Sequence, residues 1–142
     1  MGRGTGHVLS VLVDTHCLVW LFGRRSRLSP TADAAIEEAD RVLISPISWW
    51  EIGLLARDGR IRLDRPLGLW IELVLRDRRS ITAPLSPEAA AWAGQMDQAA
   101  FTGDPADRLI YATARDLRVP LVSKDWRIRE FAERSGDIDV VW

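Results

Sequence analysis

Apolar residues along this chain fall into short runs that switch between two periods. Val8-Leu9-Ser10-Val11-Leu12-Val13 is almost continuously apolar and rich in β-branched residues, which predicts a strand buried on both faces. Asp14-Thr15 ends it, and His16 to Phe22 reads as a short helix. Gly23 to Leu28 is a basic loop. Ser29-Pro30 sets an N-cap residue before proline and opens a helix to about Asp40. Val42-Leu43-Ile44 is a second short strand. Ser48-Trp49-Trp50-Glu51 opens the next helix, to about Arg57, and Asp58-Gly59 is a turn. Arg60 to Arg65 alternates apolar and charged residues, as a small β-arm or an extended loop would.

Pro66 to Arg76 carries Leu67, Trp70, Ile71 and Val74 at helical spacing. Ile81 to Leu85 is a weak strand, and Ser86-Pro87 repeats the opening signal of Ser29-Pro30. Asp104-Pro105 opens a helix to about Leu117. Val119-Pro120-Leu121-Val122 reads as a strand with proline near its start. Asp125 to Glu133 is helical, and Ile138 to Val141 is an edge-like last strand. Strands alternating with helices imply an α/β domain with a mainly parallel sheet. Residues 8–142 form one such domain, and the Gly-rich residues 1–7 are expected to be a flexible N-terminal tail.

Bulk composition narrows the function classes. A net charge of −1 gives no general attraction to polyphosphate, so a nucleic-acid partner needs a local basic patch. Lys124 is the only lysine, and the arginines that replace it suit bidentate phosphate contact or reflect compositional bias. Cys17 is the only cysteine, with no Cys/His zinc spacing, so an intracellular, cytoplasmic protein is expected. The apolar stretch from Val8 to Phe22 is too short to span a bilayer and is interrupted by Asp14 and His16, so no membrane role is expected.

Four acids stand where elements begin or end: Asp14, Glu51, Asp107 and Asp125. Ligands of open parallel sheets bind beyond the carboxyl ends of the strands. Asp14 directly follows the first strand, and Asp125 follows the strand ending at Val122, so both are expected at one edge. Asp14 also suits an N-cap. Ser48-x-x-Glu51 matches a capping box, which explains Glu51 as well as a metal does. Asp104 is an N-cap candidate with Asp107 three residues on, on the same helix face. Arg108 is an ion-pair candidate for Asp104.

Carboxylates about 5 Å apart repel by roughly 3 kcal/mol at an effective dielectric of about 20, so a cluster takes up protons or binds a cation. Mg²⁺ and Mn²⁺ prefer such oxygens, and in phosphodiester hydrolysis they acidify water and stabilise phosphoryl charge. Thr15 and Ser123 are placed to orient a carboxylate or water, or to cap helices. His16 is read as a non-catalytic helix-start residue.

Four segments in order, Val11-Leu12-Val13-Asp14-Thr15-His16, Ile47-Ser48-Trp49-Trp50-Glu51-Ile52, Asp104-Pro105-Ala106-Asp107-Arg108-Leu109-Ile110 and Leu121-Val122-Ser123-Lys124-Asp125, resemble the PIN domains. The VapC-type toxins of bacterial toxin–antitoxin pairs are the group they resemble most. The resemblance implies a three-layer α/β/α domain and a Mg²⁺- or Mn²⁺-dependent endoribonuclease. It implies metal ligands at Asp14, Glu51 and Asp107, with Asp125 as the fourth acid and Asp104 as a variable extra one. It also implies a homodimer and inhibition by a VapB-like antitoxin laid across the groove.

Partner contact is expected at Trp70 and Trp49, and core packing at Trp20 and Trp50. The arginines of Gly23-Arg24-Arg25-Ser26-Arg27 and of Arg76-Asp77-Arg78-Arg79 are candidates for RNA phosphate contact or for plain solvated charge. Two other classes stay open: a receiver-type phosphoacceptor domain, and a catalytically inactive binding module.

Overall fold

The structure, a computed structural model, describes residues 8–142. The tail expected at residues 1–7 lies outside the described residues. The apolar run beyond it becomes β1 (Ser10–Val13), the middle strand of a five-stranded sheet. Around it stand β2 (Arg41–Ile44), β3 (Ser80–Thr82), β4 (Leu121–Val122) and β5 (Val140–Val141), in the order β3-β2-β1-β4-β5. Every pairing is parallel, so all carboxyl ends reach one edge. The register sets Val13 beside Ile44 on one side and Val122 on the other. Pro120 falls just ahead of β4, where it needs no N–H and its carbonyl accepts from the Leu12 amide at 2.9 Å.

Parallel neighbours need long crossovers, and helices supply them. These are α1 (Thr15–Leu21), α2 (Pro30–Glu38), α3 (Pro46–Arg57), α4 (Leu67–Arg76), α5 (Pro87–Gln95), α6 (Pro105–Leu117) and α7 (Trp126–Ser135). The pleat of β1 divides the core. Val11 and Val13 face a layer with Leu18 of α1, Ile36 of α2, Ile52 of α3, and Trp70 and Val74 of α4. Leu12 faces the opposite layer, with Ile110 and Tyr111 of α6 and Ile128 of α7. The α/β/α sandwich is the expected one, and its sheet is wholly parallel.

Helix starts share one device. Ser29, Ser45, Ser86 and Asp104 each precede a proline and accept a first-turn amide. Ser45-Pro46 escaped the sequence reading, which opened α3 at Ser48. The capping box assigned to Ser48 and Glu51 is therefore corrected. Ser45 Oγ accepts from the Ile47 amide at 3.1 Å, while Ser48 is buried within the first turn. Residues 60–65 form no strand and run as an extended loop.

The tryptophans also need correction. Trp70, expected at a partner surface, is a core residue only 2% exposed, and Phe22 and Trp49 meet it edge-on at 6.5 and 6.4 Å. Trp49 is half-buried and its indole N–H donates to the Thr82 hydroxyl at 3.1 Å. Trp50, expected in the core, is 59% exposed. At 100° per residue it points away from Ser48 and Ile52, the buried residues of α3. Trp20 packs against the core as expected.

Two candidate phosphate contacts are already engaged. Arg25 pairs with Asp33 at 2.7 Å and with Glu37. Arg79 donates to the carbonyls of Ile36 and Ala39 at 2.8 and 3.1 Å. Among the described residues, no helix is long and apolar enough to cross a membrane.

The core position of Trp70 sets a stability test. Trp70→Ala should lower the unfolding free energy by about 3–5 kcal/mol. Trp50→Ala should change it by less than about 0.5 kcal/mol. Urea denaturation of both variants measures this, and similar small losses would contradict the assignment.

Candidate active site

The edge where the strands end holds the acids. The Asp14 amide donates to the Val122 carbonyl at 3.1 Å, tying the ends of β1 and β4 together. Its carboxylate caps α1, Oδ1 accepting from the Cys17 amide at 2.9 Å. Asp125 caps α7 by accepting from the Arg127 amide at 2.9 Å, and the Arg127 guanidinium donates to it at 3.2 and 3.3 Å. Asp104 and Asp107 form a reciprocal capping box at the start of α6. Asp107 N–H donates to Asp104 Oδ1 at 2.9 Å, and Asp104 N–H to Asp107 Oδ2 at 3.3 Å.

Glu51 reaches this edge from the second turn of α3. The buried Thr15 hydroxyl lies within hydrogen-bonding distance of the Glu51 carboxylate and of Ser48 Oγ, the latter at 3.0 Å. Ser123 is wholly buried and accepts from the Asp125 amide at 3.1 Å, fixing the turn that carries that acid. Asp14, Glu51, Asp104, Asp107 and Asp125 line one cleft of about 460 Å³. Thr15 lines it too, whereas Ser123 lies beneath.

The acids perturb one another. Burial first, then the charges of Asp104, Asp125 and Glu51, push the Asp107 carboxyl up to about 7. Burial also raises Glu51. The Thr15 hydroxyl and His16 pull it back, while Asp104 and Asp14 push it up. Acids from four separate segments therefore share one electrostatic environment.

Among the described residues, no three His, Cys, Asp or Glu groups converge closely enough to ligate one ion directly. The arrangement is an open acidic cleft. That suits a hard cation such as Mg²⁺, which keeps most of its waters and takes one or two carboxylates directly. The donor set, all carboxylate and hydroxyl oxygen, fits such an ion and not a soft one.

Other chemistries are poorly served. Cys17 is wholly buried and burial raises its thiol, so it is no nucleophile. A larger groove of about 680 Å³ lies at the opposite end of β4, where part of the charge is already paired. Arg115 there pairs with Asp137 at 3.3 Å and lies 4.2 Å over the Trp92 ring.

Sequence reading missed several groups at the site. Arg60, Lys124, Trp126 and Arg127 line the cleft with the acids. Gly103 is a further one. A β-carbon there would stand 2.4 Å from the Phe101 ring and 3.0 Å from Asp107 Cβ, so only glycine lets this loop close on Asp107. Its place before Asp104-Pro105 marks a turn but not this close approach.

A parallel three-layer sandwich with carboxylates gathered at its strand-end edge places the protein in the class that the sequence motifs resembled. The PIN domain pattern matches residues 11–134, and the chain belongs to this family. It is 42% identical over 120 residues to Ribonuclease VapC22 of Mycobacterium tuberculosis (strain ATCC 25618 / H37Rv), spanning 84% of this chain and 90% of that protein.

Solved structures with the same fold include VapBC2 from Rickettsia felis bound to a DNA fragment from their promoter. There the TM-score is 0.65 at 14% identity, over 93% of this chain and 97% of that one. VapBC-1 from nontypeable Haemophilus influenzae aligns with a TM-score of 0.64 at 16% identity, over 93% of this chain and 96% of that one. Membership of the PIN family sets aside the receiver-type alternative.

Asp107 makes the metal-free protein sensitive to pH. Its carboxyl rises from 3.8 to about 7 on folding, so folding favours the protonated form. That stability is fully present below about pH 4 and is lost as pH rises through about 7. In EDTA the unfolding free energy should fall by up to about 4 kcal/mol across this window. Asp107→Asn should flatten the profile in thermal denaturation, and a parallel wild-type profile would contradict the crowding.

Proposed function

We propose that this protein is a metal-dependent endoribonuclease that acts as the toxin of a toxin–antitoxin pair. The observation that carries the reading is the meeting of Asp14, Glu51, Asp107 and Asp125 in one cleft of a PIN domain. Its 42% identity to a protein named a ribonuclease supports the reaction class. An inactive binding module would have no use for the charge crowding that raises Asp107 and Glu51.

In this reading Asp14, Glu51, Asp107 and Asp125 would hold Mg²⁺ or Mn²⁺, one or two of them directly and the others through its waters. When bound, the ion supplies an acidified water and stabilises charge on the phosphoryl oxygens. The chain's own residues prepare the cleft. Thr15 fixes the Glu51 carboxylate from beneath, and one hydroxyl proton serves Glu51 or Ser48 at a time. Ser123 holds the Asp125 turn. Asp104 holds the Asp107 amide and adds negative charge to the rim. Each acts on a ligand acid and so tunes its position.

The partner in this reading is a VapB-like antitoxin, as in the VapBC complexes whose fold this chain shares. We place its contact at Trp50, not Trp70. Trp50 lines an apolar groove of about 260 Å³ with Leu54, Leu55 and Pro105, directly beside Glu51 and Asp104. A homodimer and a cytoplasmic site of action complete the reading.

Structured RNA incubated with Mg²⁺ or Mn²⁺ tests the activity. Cleavage should stop in EDTA. Asp14→Asn and Asp107→Asn should each lower the rate by about 100-fold or more. Thr15→Val should cost about tenfold, with the larger part in metal affinity. Cleavage that persists without metal, or survives Asp107→Asn, would sink the reading.

A further inference from the structure

A second cleft of about 500 Å³ opens beside the acidic one, and the two share walls at Trp20 and Arg60. Its charged rim carries Arg24 and Arg27 from the loop after α1, and Arg60 and Arg62 from the loop after α3. All four arginines are exposed, and none of their guanidiniums makes a hydrogen bond or ion pair with a described residue. Arg25, from the same loop, is held by Asp33 and Glu37 and takes no part. Among the described residues Asp64 is the only acid on the cleft wall, and it is paired with Arg65 at 3.0 Å. The floor is apolar and aromatic, with Trp20, Phe22 and Ile61 partly buried.

We propose that this arginine-rimmed cleft is the site where single-stranded RNA is held while its neighbouring phosphodiester lies in the acidic cleft. The inference rests on the ribonuclease reading and deepens it.

The physical case is one of charge. A cleft lined by five carboxylates repels a polyanion, and the protein as a whole carries −1. Affinity for the chain must then come from a separate cationic surface within reach of the cleft. Unpaired guanidiniums on the rim match phosphates spaced along a strand. An aromatic floor matches bases turned away from those phosphates, with no sequence readout required. Double-stranded RNA would bury neither its bases nor its inner phosphates here, so an unpaired strand is the form that fits.

Binding measured without divalent ions separates this claim from catalysis. The assay uses fluorescence anisotropy of a labelled single-stranded RNA oligonucleotide with the full chain in EDTA. Arg24→Ala with Arg62→Ala should weaken binding by at least about tenfold at roughly 0.1 M salt. The slope of log K against log salt should become shallower by about 1.4, since each phosphate that the protein no longer neutralises accounts for about 0.7. Arg129→Ala, an exposed arginine outside both clefts, should leave both unchanged.

Unchanged affinity and slope in the double variant would overturn the proposal. So would selective loss of protein-partner binding in that variant with RNA binding intact. Wild-type protein that binds the oligonucleotide but never cleaves RNA with Mn²⁺ would defeat the nuclease reading instead, so the two failures are distinct.

Discussion

Like charges crowded at one edge of a sheet are the constraint around which this protein is arranged. Left free, such carboxylates would separate or take up protons. Here they cannot separate, because all but Glu51 are fixed by the backbone at the end of a strand or the start of a helix. The parallel pairing of β1 with β2 and β4 sends the chain to the same edge each time. The Asp14 amide is itself bonded to the Val122 carbonyl, so the turns bearing Asp14 and Asp125 are joined through the sheet. The crowding shows in Asp107, pushed up to about 7 by burial and by its three acidic neighbours.

Capping and cation binding are often weighed as rival explanations of an acid at a helix start. In this structure one carboxylate serves both. Asp14 spends Oδ1 on the Cys17 amide, and Asp107 spends Oδ2 on the Asp104 amide. Each keeps a second oxygen outside its cap. The helix N-terminus meanwhile offsets part of the negative charge and restrains the side chain. Glu51 is the exception. It lies beyond the first turn of α3, and it relies on the Thr15 hydroxyl in place of a cap. Its position is thus set by β1 and α1 as much as by its own helix.

Much of the fold was legible because the strands are buried and the helices announce themselves. β1 read as a strand from its β-branched run, and three of the four serine- or aspartate-proline starts were recognised. Ser45-Pro46 was overlooked because Ser48-x-x-Glu51 offers a complete capping box three residues later, and local pattern cannot choose between two adequate caps. The tryptophans failed for a different reason. Helical spacing identifies a stripe but not what covers it. Trp70 and Val74 form the buried stripe of α4, while Trp50 falls on the far side of α3 from Ser48 and Ile52. At the cleft, Asp14 and Asp125 were readable from strand-end position. Gly103 was not, because its reason is the close approach of Phe101 and Asp107, which exists only in the folded chain.

The distribution of arginine follows from the same constraint. A cation placed among the acids would satisfy them and silence the cleft, as Arg127 partly does at Asp125 with bonds of 3.2 and 3.3 Å. The remaining cationic groups near the site are kept at its border. Lys124 sits with its ammonium 6.0 Å from the Trp20 ring, and Arg60 stands on the wall shared by the two clefts. Beyond that wall the guanidiniums of Arg24, Arg27 and Arg62 have no partner among the described residues. Elsewhere Arg25, Arg79 and Arg115 are bound to carboxylates or carbonyls of other elements. Two fields of opposite sign thus meet at one wall. A boundary of that kind draws a polyanion toward an anionic site without neutralising it, because the attraction acts on one stretch of the strand and the repulsion on the next.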